Sequence, residues 1–311
     1  MRAVLVIGPG AVGSLLAAYA SRRGKQVYIL GRSLESDKKL LRSGIRFQET
    51  SGQTLKIRNG IFCARDFESP LPVSATFVCV KNGDVSSSIK TASKYVSLDT
   101  PVVFFQNGLT HPAFARDIFK TQEVVIGTCY AAAERTEDGM VIHRGGNALI
   151  LAQNQENKTA IKKTFSLLAE DGWDVSITED EEKMLWTKLC LNASVNPLGA
   201  LTKATNGEIA SIAELKAISS KIMEETISVA KACGVKVSRK ELERLFFKVC
   251  RPDSRQKNST LQDIEKRKKT EIREILNPIL TEAKKRSIKI PVLRRIAKMI
   301  FKLEDYVSKG V

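Results

Sequence analysis

Two stretches of the chain carry residues whose types and spacing suit chemistry. The first is Gly8-Pro9-Gly10-Ala11-Val12-Gly13, which follows the apolar run Ala3–Gly8 and leads into a helical pattern. Gly-x-Gly-x-x-Gly between a strand and a helix is the fingerprint of dinucleotide binding. Gly8 permits the tight turn, Gly10 removes the side chain where a pyrophosphate must approach, and Gly13 lets the helix close onto the strand. The helix start offers unpaired N–H groups and a partial positive charge to phosphates. The second stretch is Leu185–Leu198, with Lys188, Asn192 and Asn196 at i, i+4 and i+8. That spacing drifts only about 40° per step, so the three share one helix face. Leu, Cys, Ala and Val lie between them. A cation and two amides on an otherwise apolar helix are costly unless they face a polar cleft. The alternative is that the amides cap neighbouring backbone and the lysine snorkels to water. Spacing does not decide between the two.

The nucleotide preference is read at the end of the second strand, Leu30-Gly31-Arg32-Ser33. An NAD enzyme places Asp or Glu there for the ribose 2′-hydroxyl. An acid would repel a 2′-phosphate, whereas Arg32 can pair with it bidentately. The expectation is therefore NADP(H), with Gly8, Pro9, Gly10, Ala11, Val12, Gly13 and Arg32 as cofactor-binding residues. Glu35 stands close by, and a plain surface role for Arg32 stays open.

These residues need a scaffold. After the first strand, a helix is expected over 11–23 with Gly24 past its end, and a second strand over 26–30. Further strands are expected at 75–81, 101–107, 124–131, 140–143, 148–151 and 174–177, with helices near 85–96 and 157–170. Short apolar strands alternating with helices imply parallel βαβ units. From about Glu179 the pattern is helical only: 180–196, 209–233, 238–249, 260–286 and 291–309. Ser238 and Glu241 have capping-box spacing, and Pro291 suits a first turn. The fold class expected is α/β, a Rossmann-type doubly wound sheet over residues 1–178 followed by an all-helical domain over 179–311. The basic run Lys266–Lys269 reads as an exposed face.

Composition narrows the classes. With 311 residues, 43% hydrophobic and 27% charged, the chain is globular and can bury a real core. No apolar run nears the roughly 18 residues of a membrane span, and no secretory leader is recognisable, so a cytoplasmic protein is expected. None of the six cysteines has Cys-x-x-Cys spacing, and there are two histidines, so buried free thiols and no metal site are expected. The net charge of +16 is uneven: residues 238–311 hold 21 Lys and Arg against 10 Asp and Glu. Interleaving with acids and apolar positions points to solvated helix faces rather than to a nucleic-acid or membrane partner.

Over nearly its whole length the chain resembles the ketopantoate reductase (2-dehydropantoate 2-reductase) family. The resemblance rests on the glycine fingerprint with Arg32, Lys81 after the Phe77–Val80 strand, and Gln106-Asn107-Gly108. It also rests on Trp186-Thr187-Lys188-Leu189 with Asn192 and Asn196-Pro197-Leu198, and on Ser259-Thr260-Leu261-Gln262-Asp263-Ile264 through Thr270-Glu271-Ile272. It implies NADPH-dependent reduction of ketopantoate to pantoate, a step of pantothenate and coenzyme A biosynthesis. It implies that Lys188 is the general acid protonating the ketone oxygen as hydride arrives at carbon. Glu271 would be catalytic too, holding the substrate hydroxyl and touching the cofactor. Asn192, Asn196 and Ser259 would bind substrate oxygens, Asn107 would contact both cofactor and substrate, and Lys81 would sit beside the cofactor. The family usually has His-Asn-Gly where this chain has Gln106-Asn107-Gly108, which leaves Asn107 in place. An ammonium near the reacting oxygen is sound chemistry, because hydride delivery leaves negative charge there. On one straight helix Ser259 and Glu271 would sit about 120° and about 18 Å apart, so their convergence needs a break or a bend, or rests on the resemblance alone.

The partner expected is a small anionic 2-oxo acid, with no nucleic acid and no membrane. Oligomeric state is left open, a homodimer among the options. Two other readings remain: a reductase of a different 2-oxo acid on the same architecture, and a non-catalytic NADP(H)-binding sensor. A histidine-dependent dehydrogenase would have to use His111 or His143, and His111 reads better as a turn or helix start.

Overall fold

The computed structural model describes residues 2–109, 111–119, 123–251 and 253–308. The chain divides into two compact units, Met1–Gln106 with Thr110–Glu181, and Asn107–Leu109 with Glu182–Val311. The boundary expected at 178 falls between Glu181 and Glu182, and a three-residue loop containing Asn107 groups with the second unit.

The first unit runs β1 (Ala3–Ile7), α1 (Ala11–Arg22), β2 (Gln26–Leu30), α2 (Leu34–Ser43), β3 (Ile45–Gln48), β4 (Thr54–Ile57) and β5 (Ile61–Cys63). It continues with β6 (Ala75–Val78), α3 (Asn82–Ala92), β7 (Val102–Phe104), α4 (His111–Ile118), β8 (Val124–Cys129), β9 (Ala132–Arg135) and β10 (Val141–Gly145). It closes with β11 (Ala148–Ala152), α5 (Lys158–Glu170) and β12 (Asp174–Thr178). An eight-stranded sheet has the order β12-β11-β8-β7-β6-β1-β2-β5. Its pairs are parallel except β8 with β11. Strands buried on both faces read as continuous apolar runs, as Ala3–Ile7 and Val102–Phe104 do. The chain winds outward from β1 to β2 and β5, then returns to build β6, β7 and β8 on the other side. The strand order therefore reverses between β1 and β6. A crevice outside the carboxyl ends of strands at such a switch point is where doubly wound sheets bind ligands.

A second sheet, β4-β3-β10-β9, was not foreseen. Its short strands alternate weakly, and β4 is half solvated, so residues 31–74 gave no clear period. Helix α1 lies between the two sheets, with Ala17, Ala18 and Ala20 fully buried. Phe47 and Val141 of the small sheet share one core with Val4 and Val6 of β1. Small residues on α1 permit this close approach from both sides.

The second unit runs α6 (Glu181–Thr202), α7 (Asn206–Ser211), α8 (Ala213–Ala232), α9 (Arg239–Val249), α10 (Ser259–Glu265), α11 (Ile272–Lys285) and α12 (Pro291–Ser308). Helix α6 runs for 22 residues through Pro197, past the end expected at 196, and is buried from Leu189 to Ala200 on every face. The helix expected over 209–233 is two: Ile212 takes φ −77° and ψ 120° between α7 and α8. The helix expected over 260–286 also breaks. Arg267 takes φ +49°, and the Lys268 N–H closes onto the Asp263 carbonyl at 2.8 Å. The run Lys266–Lys269 thus ends α10, where cations oppose the negative end of the helix dipole. Thr270 starts α11 by accepting the Ile272 N–H at 3.1 Å. Buried Glu225 of α8 accepts the N–H groups of Val292 (3.0 Å) and Leu293 (2.8 Å), capping α12.

Candidate active site

The glycine turn of the first unit is held by its own backbone. The Gly8 N–H donates to the Leu30 carbonyl at 2.9 Å, the Gly10 N–H to Gly8 at 2.8 Å, and the Ser14 N–H to Gly10 at 3.0 Å. The three glycines differ in what surrounds them. Gly8 has φ +82°, and a Cβ there would lie 2.9 Å from the Val80 backbone nitrogen. A Cβ on Gly13 would lie 2.2 Å from the Gly8 carbonyl oxygen, whereas one on Gly10 would meet nothing within 4 Å. Gly8 and Gly13 are therefore demanded by the protein's own packing, and Gly10 is demanded by nothing in it. The N-cap residue of α1, Gly10, brings no side chain to cap it, and no acid stands in the helix's first turn. An open position over an uncapped, acid-free helix start fits a phosphate-bearing cofactor.

The β2–α2 loop carries Arg32, whose Nη2 lies 3.3 Å from Asp84 Oδ2 of α3. The Arg32 side chain is 86% exposed, so this pair is weak and the guanidinium can leave it at little cost. Beneath the loop, Asp37 is 1% exposed and accepts the Gly31 N–H at 2.8 Å, while Arg65 donates to the Gly31 carbonyl at 2.9 Å. Burial raises the Asp37 pKa, with Arg65 opposing it. A Cβ on Gly31 would come 2.1 Å from Asp37 Oδ1, so that glycine is fixed by the clamp. Glu35 lies exposed in the first turn of α2. Lys81 is the N-cap residue of α3, following β6. Gln106 is buried and donates to the carbonyls of Val78 (2.9 Å) and Val80 (3.1 Å), holding the turn that presents Lys81.

Sequence reasoning missed the Asp37–Arg65 clamp, the Gln106 brace and Arg135. The Arg135 Nη1 donates to the Pro9 carbonyl at 2.9 Å. None of these lies in a periodic motif; only pairing across the fold exposes them.

In the second unit, Lys188, Asn192 and Asn196 lie on one face of α6, with Lys188 half-buried and both amides buried. Asn192 Nδ2 donates to Asn107 Oδ1 at 3.0 Å, and Asn107 Nδ2 donates to Glu271 Oε2 at 3.1 Å. Three residues far apart in the chain thus form one network, and its direction fixes the Asn107 amide orientation. Glu271 is the N-cap residue of α11, freed from α10 by the break at Arg267. Ser259 is the exposed first residue of α10, and its neighbour Asn258 caps that helix through the Leu261 N–H at 3.0 Å. A Cβ on Gly199 would come 2.1 Å from Asn258 Nδ2, so the start of α10 rests on α6 three residues past Asn196. Asn206, buried at the start of α7, has a side-chain oxygen with no hydrogen-bond partner among the described residues. No sequence signal singled it out.

Other nucleophiles are poorly placed for chemistry. Burial pushes the Cys190 thiol on α6 up to about 12. The His111 ring begins α4, is 3% exposed, and burial holds its pKa down to about 4. His143 is buried between Tyr19, whose hydroxyl lies 2.9 Å from Nδ1, and the Gly146 carbonyl 2.5 Å from Nε2. The six cysteines are not joined in disulfides. Among the described residues no helix is long and apolar enough to cross a membrane.

Comparison with known proteins bears on both units. Residues 4–156 match the family described as Ketopantoate reductase PanE/ApbA, and residues 180–304 match its C-terminal part. The 2-dehydropantoate 2-reductase of Halobacterium salinarum is 26% identical over 298 residues, covering 96% of this chain and 97% of that protein. Among solved structures, a ternary structure of D-mandelate dehydrogenase with NADH and anilino(oxo)acetate superimposes with a TM-score of 0.88 at 19% identity, over 98% of this chain and 99% of that one. A dimeric ketopantoate reductase from Staphylococcus aureus gives 0.79 at 18% identity, again over 98% and 99%.

Proposed function

The chain belongs to the ketopantoate reductase family, and from that premise we propose that it reduces 2-dehydropantoate to pantoate with NADPH. The observation that carries the reading is the Asn192–Asn107–Glu271 network, whose Asn192 lies on the buried helix that also bears Lys188. A polar stripe inside an apolar helix is costly unless it has work at a polar site, and these residue types suit a carbonyl flanked by a carboxylate.

The reduced nicotinamide, when bound, supplies the hydride. The Gly8–Gly13 turn and the start of α1 would hold its pyrophosphate, and Arg32 its 2′-phosphate, with Lys81 alongside. Lys188 donates a proton to the ketone oxygen as negative charge develops there, and regains one from solvent afterwards. Asn107, held by Asn192 and Glu271, presents a fixed amide to cofactor and substrate. Glu271 accepts the substrate hydroxyl, and Asn192, Asn196 and Ser259 bind its remaining oxygens. A homodimer is part of the proposal, as in the Staphylococcus aureus relative, and sedimentation measures it.

A second reading has support in the likeness to D-mandelate dehydrogenase: the same machinery acting on a different 2-oxo acid, with NADH. An NADPH- and NADH-consumption screen over several 2-oxo acids, ketopantoate included, separates the two. Turnover fastest with ketopantoate and NADPH is expected. A faster rate on an aromatic 2-oxo acid overturns the substrate assignment, and no turnover on any of them favours a nucleotide-binding sensor.

A further inference from the structure

The loop Gly31-Arg32-Ser33 between β2 and α2 is held from within on both sides of Arg32. Asp37 Oδ1 accepts the Gly31 N–H at 2.8 Å, and Arg65 Nη2 donates to the Gly31 carbonyl at 2.9 Å. Arg65 Nε stands 3.7 Å from Asp37 Oδ2, which closes the clamp on itself. On the other side, the Ser33 hydroxyl accepts the Ser36 N–H and the Ser36 hydroxyl accepts the Ser33 N–H, both at 3.2 Å. The backbone is thus fixed before and after Arg32, whose own side chain extends into solvent. An ion pair is a costly way to anchor a loop. Asp37 is buried, burial raises its pKa against the pull of Arg65, and its Oδ2 has no hydrogen-bond partner among the described residues. Taking such charges out of water offsets most of their attraction. The flanking elements close without the clamp: Leu30 pairs with Ile7 in the sheet, its carbonyl accepts the Gly8 N–H at 2.9 Å, and α2 has its own capping box. What the ion pair adds is a fixed origin for the Arg32 side chain.

We propose that Asp37 and Arg65 are positioning residues for nucleotide selection: by holding both backbone groups of Gly31 they fix where Arg32 begins, and so set the preference for NADP(H) over NAD(H). The inference rests on reading Arg32 as the residue that meets the 2′-phosphate. Asp37 and Arg65 act through Arg32 and need no contact with the nucleotide. A bidentate guanidinium–phosphate pair depends on geometry as well as on charge. A loop that had to be ordered on binding would subtract its lost freedom from the affinity, and a loop ordered beforehand does not.

The test is calorimetric binding of NADP⁺ and NAD⁺, and the readout is the ratio of their dissociation constants. Arg32→Met is expected to lower the preference for NADP⁺ by about tenfold or more, the usual scale for a charge-assisted contact. Asp37→Ala is expected to lower it by about fivefold, the scale of ordering one residue's backbone, with NAD⁺ affinity within about twofold of wild type. Asp37→Asn keeps the preference within about twofold, because its amide oxygen still accepts the Gly31 N–H. In the Arg32→Met background, Asp37→Ala changes the preference by less than about twofold, since the side chain it positions is gone. Arg65→Met removes the other, less buried half of the clamp and takes the place of Asp37→Ala if circular dichroism shows that variant unfolded. A preference within about twofold of wild type in the folded clamp variant overturns the proposal. So does an equal loss of both nucleotides, which is general loosening of the loop, or an undiminished effect in the Arg32→Met background. A loss in Asp37→Asn as large as in Asp37→Ala overturns it too, because the effect would then belong to charge. A wild-type protein without preference for NADP⁺, or an Arg32→Met protein that keeps it, is a different result: it ends the reading of Arg32, and the proposal with it.

Discussion

The different surroundings of Gly10 and Gly13 make a sharp prediction. Gly10 has φ −74° and ψ −155°, extended backbone that alanine also adopts, and its Cβ would enter open space. Two small effects then oppose each other in Gly10→Ala. Reduced freedom of the unfolded chain stabilises by about 0.4–1 kcal/mol, and alanine is the poorer N-cap by about 0.5–1 kcal/mol. The ligand-free protein should therefore melt within about 3 °C of wild type. Gly13→Ala instead drives a methyl to 2.2 Å from the Gly8 oxygen and 3.1 Å from Cys79 Cβ. Overpacking of that kind costs about 1–3 kcal/mol and lowers the melting temperature by several degrees. The two variants separate again on adding NADPH. At a hundred times its dissociation constant the nucleotide adds about 2.7 kcal/mol to wild-type stability, and Gly10→Ala should lose most of that shift because its methyl occupies the pyrophosphate's place. Differential scanning fluorimetry with and without NADPH reads both effects. A Gly10→Ala protein that keeps the full NADPH shift, or that melts as low as Gly13→Ala without nucleotide, refutes the reasoning.

Three further outcomes are expected. Lys188→Ala should lower kcat by about 10²–10⁴-fold with circular dichroism unchanged, and full turnover in that variant would remove the general-acid role. Arg32→Asp should raise the KM for NADPH by about tenfold or more while altering that for NADH far less; equal losses would mean Arg32 does not read the 2′-phosphate. His111 should make the fold sensitive to acid. Its folded pKa of about 4 lies below the ordinary value of 6.5, so the unfolded chain takes up the proton first. Its contribution is whole above pH 6.5 and is lost as pH falls through about 4, a total on the order of 3 kcal/mol. Chemical denaturation of wild type and His111→Gln from pH 7.5 to 4.5 measures it, and parallel stability curves would show that the ring is not buried in its neutral form.

The doubly wound sheet was legible because its central strands, such as β1, β6 and β7, are buried on both faces and read as unbroken apolar runs between helices. Residues 31–74 were not legible. There β3 pairs with the half-solvated edge strand β4 of a small sheet, with burial alternating over only four residues each. The two merged helices fail for another reason. Helical periodicity runs straight through Ile212, and through Lys266–Lys269, whose residue types all tolerate helix. What breaks the second is long-range. Thr270 donates to Glu304 of α12 and Arg273 pairs with the same carboxylate at 2.8 Å, fixing where α11 begins. A window of neighbouring residues does not contain Glu304.

That break also decides how much of the candidate site could be foreseen. The stripe of Lys188, Asn192 and Asn196 follows from helix geometry alone, since four-residue steps keep side chains on one face. Glu271 does not follow. Continued as helix from Ser259, it would lie about 18 Å along the axis and on a different face. Ending α10 at Arg267 lets α11 start afresh, with Glu271 as its first flanking residue and within hydrogen-bonding distance of Asn107. Asn107 in turn lies on a loop of three residues that leaves the sheet unit to group with the helices. Residues outside helix interiors, Asn107 and Glu271, thus complete the network, while residues inside an element, Asn192 among them, supply the stripe. Local pattern reads the interior of a helix, and the ends are set by partners from elsewhere in the chain. A substitution that removes the long-range tie, such as Glu304→Ala, frees the start of α11 without touching the network. It should nevertheless disturb the Asn107–Glu271 bond, because the continued helix it allows carries Glu271 away.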